Sequence, residues 1–255
     1  MLPNCRKLAY IGNVRIEPVI QSYLESNDTV TVDTAVGLAR QIDPHVPRST
    51  IRWQLYELVQ CGTLRRVQRG VYARADKSLF RLSVPSRLTA CHQRIQSELP
   101  FLRMCVWYTG AIGELAHHYP HESVDIIEVE RDGESAVRDL LSNTNTPAIS
   151  YEDFSAIQRS GLANRDHAVI KRLVSEAPLL REGEVPVPRL EKILVDIVSD
   201  ERLFSFVRGA ELFSIFAAAF ERYHVQRDTL LRYASRRGAR EEIREIAEQI
   251  SGSTV

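Results

Sequence analysis

The 255 residues carry no surplus charge, since 33 Lys and Arg stand against 33 Asp and Glu, which excludes a uniformly basic or acidic surface. Four cysteines, Cys5, Cys61, Cys91 and Cys105, are scattered without a CxxC pair. That spacing argues against a zinc module and against a disulfide framework, and leaves reduced, structural thiols. No apolar run approaches the roughly 18 residues of a membrane span, and the opening MLPNCRKLAY has no apolar signal-peptide region. No membrane association and a cytoplasmic location are therefore expected. There is no G-x-x-x-x-G-K-[ST], no GxGxxG and no G-x-S-x-G, nor the GS followed by paired Asp that marks nucleotide transfer. Gly and Pro are few, repeats are absent, and 44% of the residues are apolar, so the chain is neither collagen-like nor disordered. At roughly 100–200 residues per domain, two domains are expected rather than one.

What is present is a division of charge. Met1 to Ala90 holds 13 Lys and Arg against 7 Asp and Glu, leaving 20 against 26 for the rest. Within the basic front, residues 16–26 place Val19, Ile20, Tyr23 and Leu24 on one helical face. A second helix, Thr34 to Gln41, is capped by Asp33, turns Ala35, Leu38 and Ala39 inward, and is stopped by Asp43-Pro44. A third starts at Ser49 as N-cap, carries Ile51, Leu55, Leu58 and Val59 on its apolar face, and ends at Gly62. Two short strands follow, Leu64 to Val67 and Val71 to Ala73, turned at Gln68-Arg69-Gly70. Three helices and a hairpin make a winged helix.

Its chemistry points to DNA. About 100° per residue sets Ser49, Thr50, Trp53 and Tyr56 opposite the apolar face of the third helix, with Arg52 at its flank and Arg48 just before the cap. The hairpin adds Arg65, Arg66 and Arg69, so Arg48 to Tyr72 holds five arginines against the single acid Glu57. Such arginines suit phosphate contacts that fix register, while hydroxyls and rings read base edges. The DNA-binding residues expected are Arg48, Ser49, Thr50, Arg52, Trp53, Arg65, Arg66 and Arg69. Exposed arginines on a protein-binding module are the bland alternative.

Residues 75–100 read as a connection with one helix. Strands are expected at 104–112, 123–131 and AISYED (148–153), and the segment 167–177 is strand-like. Helices are expected at GELAHHYP, at 133–142 and from VPVPRLEKILVDIVSD, where Leu190, Ile193, Leu194, Ile197 and Val198 face a core. Beyond Asp200 three more follow, Ala210 to Arg222, Arg227 to Arg236 and Arg240 to Ile250. The fold expected is α+β in two domains: residues 1–80 a winged helix-turn-helix, and 81–255 an α/β domain with a helical C-terminal part.

The stretch IVSDERLFSFVRGAELFSIFAAAFERYHVQRDTLLRYASRRG follows VPRLEKILVD and is preceded by IIEVER and VIKRLVSEAP. This block order resembles the AbiEi-type antitoxin family of bacterial type IV toxin–antitoxin systems, in the branch with a winged-helix front. LEKILVD and LLRYASRRG are the most specific pieces, and the likeness runs from about Asn13 to Gln249. The resemblance implies a transcriptional autorepressor that binds double-stranded DNA at its own promoter and counteracts a nucleotidyltransferase-type toxin encoded nearby. A homodimer is a further partner to consider.

Other readings have their own residues. Asp125, Glu128 and Glu130 could hold Mg²⁺ in a winged-helix-targeted nuclease. Strand parity separates Asp125 from the other two, and no Lys follows at the needed spacing, so solvated or salt-bridged acids are favoured. His117 and His121 could ligate a metal if helical, but Pro120 opposes that. No catalytic residue, metal or cofactor is expected, and no enzyme. A stand-alone transcription factor is the remaining alternative. The cluster Arg232, Arg236 and Arg237 sits at a helix C-terminus favoured by its dipole, with Arg232 a candidate to be buried against Asp196 or Glu191.

Overall fold

The computed structural model describes residues 15–116, 123–154 and 167–252. They gather into two units, one of residues up to Leu79 together with Arg222–His224, the other of Phe80–Glu221 and Val225 onward. The fold is mixed α+β. Among the described residues no helix is long and apolar enough to cross a membrane.

The first unit runs α1 (Glu17–Tyr23), β1 (Val30–Thr31), α2 (Val32–Ile42), α3 (Arg48–Gln60), β2 (Leu64–Gln68) and β3 (Val71–Arg74). The strands form an antiparallel sheet in the order β1-β3-β2. Ile16, Ile20, Ala35, Ala39, Ile51, Leu55, Leu58 and Leu64 are buried together in one core, as the helical periodicity requires. Gln54 is also buried, and its Oε1 accepts from the backbone N–H of Ile16 at 3.0 Å, fixing the start of α1 against α3. The helix starts differ from expectation. Thr31, not Asp33, caps α2, its hydroxyl accepting from Thr34 N–H at 3.1 Å. Pro47, with φ at −66°, stands at the N-cap of α3 in place of Ser49, so Arg48 is already the first helical residue. Gly62 ends α3 as expected, with φ at +72° and Leu79 so close that a Cβ would meet its Cβ at 2.8 Å.

The second unit contains α4 (Ser86–Glu98), β4 (Met104–Tyr108), a 3₁₀ turn (Thr109–Ile112), β5 (Asp125–Val129), α5 (Glu134–Leu141), β6 (Ala148–Ser150), β7 (Ala168–Arg172), β8 (Leu179–Glu182), β9 (Val185–Pro188), α6 (Leu190–Ser199), α7 (Ala210–Arg222), α8 (Arg227–Arg237) and α9 (Arg240–Gly252). Its main sheet has the order β4-β5-β7-β6, with β4 antiparallel to β5 and the other pairs parallel. All five residues of β5 are buried, the mark of a strand covered on both faces.

Several strands are shorter than expected. β4 gives way at Thr109 to the 3₁₀ turn, AISYED keeps only Ala148–Ser150 extended, and 123–131 and 167–177 shrink to β5 and β7. Val185–Pro188 is not helical at all. It pairs with Leu179–Glu182 as a hairpin turned at Gly183 (φ +63°), and the helix starts only at Leu190, since Pro186 and Pro188 favour extended backbone before them. Of GELAHHYP, residues 113–115 form a turn, and His117 to Pro120, with His121, lie outside the described residues.

Candidate nucleic-acid interface

The first turns of α3 and the β2–β3 hairpin converge because β3 pairs with both β1 and β2. Tyr72 faces Val30 on one side and Arg66 on the other. A bulge between Arg66 and Gln68 and the left-handed Gly70 (φ +78°) shape the hairpin tip. The result is an open cavity of about 530 Å³ whose walls include Arg48, Arg52, Arg66, Arg69 and Tyr72. Arg48 and Arg52 lie four residues apart on α3 and so point the same way.

These cations are exposed, and so is the outer face of α3, where Ser49, Trp53 and Tyr56 stand, the last two 36% and 56% exposed. Arg48 is bonded to Asp33 of α2, and that hydrogen bond, with the guanidinium charge, holds the Asp33 carboxyl below its usual range. Trp53 and Tyr56 thus leave part of their ring surface in water beside these cations.

The structure thus brings together four of the eight residues singled out from the sequence. Ser49 and Trp53 lie alongside them on the outer face of α3, and Thr50 is only half-exposed at its flank. Arg65 is turned away. Strand alternation sends it to the other side of β2 from Arg66, where Asp76 lies 3.7 Å off.

Charge is handled differently in the second unit. Lys192 of α6 is 0% exposed and donates to Glu128 of β5 at 2.6 Å and to Asp196 one turn on. Glu128 also accepts from Trp107 Nε1 at 2.8 Å, and Tyr233 Oη donates to Asp196 at 3.2 Å. The ammonium lies 5.0 Å from the Trp107 ring centroid. Burial alone would raise the Asp196 carboxyl, but Lys192, Lys171 and Arg237 outweigh it and hold it below its ordinary value. Burial likewise opposes the Lys192 charge, and Asp196 with Glu128 reverses that. Beside this group, Asp200 accepts from Lys171 and Tyr151 and, at 3.2 Å, from Leu203 N–H.

Of the acids expected to be solvated or salt-bridged, Asp125 and Glu128 are salt-bridged, Asp125 by Arg87 and Glu128 by Lys192 with Trp107 also donating, and Glu130 is half-buried, accepting from Arg103 N–H at 3.0 Å. One expectation is corrected: Arg232 is exposed. The arginine near Asp196 is Arg237, with Nε 3.3 Å from Oδ1. Leu230, Tyr233, Ala234 and Arg237 share the inward face of α8 at helical spacing, a signal that was present in LLRYASRRG. Among the described residues no three His, Cys, Asp or Glu gather as metal ligands.

Residues 50–253, well over half of the chain, match the family described as "Family of unknown function (DUF6577)". The chain has no match among curated proteins.

Proposed function

The chain belongs to the DUF6577 family, whose function is unassigned, and we propose from its own residues that it is a DNA-binding transcriptional regulator whose first unit is a winged helix. In this reading α3 enters the major groove, presenting Ser49, Thr50, Trp53 and Tyr56 to base edges, and the β2–β3 hairpin is the wing. The observation that carries it is the convergence of Arg48, Arg52, Arg66 and Arg69 on one exposed cavity beside that face. Asp33, bonded to Arg48, is the one acid among the described residues of the cavity wall, which leaves Arg52, Arg66 and Arg69 ready to replace the counterions of a phosphate backbone.

The order of blocks in the second unit, LEKILVD and LLRYASRRG above all, supports a narrower reading. The regulated promoter is the chain's own, and the second unit counteracts a nucleotidyltransferase-type toxin encoded alongside. The acids that a nuclease would need support binding rather than cleavage, since Asp125 and Glu128 are already engaged by Arg87, Lys192 and Trp107.

Two experiments test these readings. Fluorescence anisotropy of the full chain on its upstream region and on a scrambled duplex, over a salt series, is expected to show tighter binding to the former and affinity that falls as salt rises. Equal binding to both duplexes, or none, overturns the regulator reading. Expression of the neighbouring reading frame with and without this chain tests the antitoxin reading, which fails if that frame arrests no growth or if its arrest is not relieved.

A further inference from the structure

The second unit holds a larger cavity, about 940 Å³, at the carboxyl ends of the parallel strands. It opens beside Ser150 at the end of β6, Lys171 and Arg172 at the end of β7, and Asp132 after β5. The chain passes from β5 out to β6 and returns to place β7 between them. A reversal of this kind leaves a crevice at the strand ends, the place where open α/β sheets hold ligands, and the volume is that of a small-molecule site.

What lines the floor decides the ligand. Lys171 is 9% exposed and Asp200 4%. The carboxylate of Asp200 is already occupied, one oxygen by Lys171 and the other by Tyr151 and Leu203 N–H. Lys171 has three N–H donors and gives one to Asp200. Arg237, the other cation of the floor, lies 3.3 Å from Asp196, yet its buried Nε completes no hydrogen bond among the described residues. Asp196 is itself occupied by Lys192 and Tyr233. The buried carboxylates of Asp200 and, behind it, Asp196 each already hold two or more donors, while Lys171 and Arg237 retain donors, so the unmet capacity of the buried cations is for an acceptor. Two exposed arginines at the mouth, Arg138 of α5 and Arg172, extend that capacity outward.

We propose that this cavity binds a small phosphate monoester, its phosphoryl group received by Lys171 and Arg237 at the floor with Arg138 and Arg172 closing over it. A phosphate offers several acceptor oxygens to converging cations. The rim carboxylates of Asp132 and Glu152 then face the remainder of the molecule and accept from its hydroxyl groups, and they repel a polyanion such as DNA. The site is independent of the regulator reading: its residues all lie in the second unit.

The test is calorimetry and thermal shift on the full chain with adenosine 5′-monophosphate, ribose 5-phosphate and inorganic phosphate, using adenosine and ribose as unphosphorylated controls. One of the two esters is expected to bind at least about tenfold tighter than inorganic phosphate, because the cavity far exceeds a bare phosphate, and the controls are expected to give no heat. The tighter ester tells whether a base is read. Arg138→Glu with Arg172→Glu, both exposed, is expected to weaken binding by about tenfold or more with Tm unchanged. Arg66→Ala with Arg69→Ala is expected to leave it intact. The proposal is overturned if neither ester binds, if adenosine or ribose binds as well as its phosphate, or if binding survives the Arg138/Arg172 change and is lost with Arg66 and Arg69.

Discussion

Arg66 and Arg69 stand in water on the β2–β3 hairpin, whereas Lys192, inside the second unit, is 0% exposed. The same charge serves opposite ends. An exposed guanidinium is cheap to keep and simple to lose, so the group of four adds little to the stability of the fold. A buried ammonium is expensive unless each contact is made, and Lys192 makes them with Glu128, Asp196 and the face of Trp107. Exposed charges such as Arg66 and Arg69 can therefore be exchanged one at a time, and Lys192, Glu128 and Asp196 only as a set.

The sharpest way to break this contrast is Lys192→Met. It strands the buried carboxylates Glu128 and Asp196, and a loss of about 3–5 kcal/mol is expected, read from urea unfolding of the full chain. A loss under about 1 kcal/mol would mean that the buried set is not interdependent. Arg66→Ala with Arg69→Ala is the counterpart in the exposed unit. Stability should change by less than about 0.5 kcal/mol, while the slope of log affinity for DNA against log salt becomes shallower by about 2. An unchanged slope in anisotropy titrations would remove the hairpin from the interface.

Within the first unit, stability is expected to rest on core packing and helix ends instead of ion pairs. Thr31→Ala removes the cap of α2 and should cost about 1 kcal/mol, whereas Asp33→Asn, which loosens the exposed Arg48 pair, should cost less. Equal costs in denaturant melts would contradict the contrast. The smallest expected effect concerns His92 of α4, 4% exposed, whose two ring nitrogens have no hydrogen-bond partner among the described residues. Burial, with Arg181 nearby, lowers its pKa. The folded state then takes up the proton less readily than the unfolded chain, so stability is full above the unfolded value near 6.5 and falls as pH drops below it. His92→Leu should flatten that part of the stability profile between pH 7 and 5, and an unaltered profile would rule His92 out.

Local patterns read α3 well, because Ile51, Leu55, Leu58 and Val59 repeat over one helix and Gly62 must end it. The hairpin turned at Gly70, the helices α5, α7 and α8, and the left-handed Gly238 (φ +73°) after α8 follow from the same short-range rules. The candidate interface was legible for this reason: Arg48, Arg52, Arg66 and Arg69 lie within two adjacent elements. Arg65 lies apart from these four because parity along β2 matters only once β3 sets the hairpin's faces.

By itself, then, the amino-acid order determined which short segments coil, extend or turn, and where exposed cations concentrate, since those depend on neighbours a turn or a hairpin apart. Only the tertiary structure decided that Val185–Pro188 pairs as a strand, that β7 inserts between β5 and β6, that Arg237 rather than Arg232 approaches Asp196, and that a cavity opens at the strand ends. Glu128 and Lys192 are 64 residues apart. Their burial follows from sheet order and helix packing, and a sequence window that spans a few turns contains no trace of either.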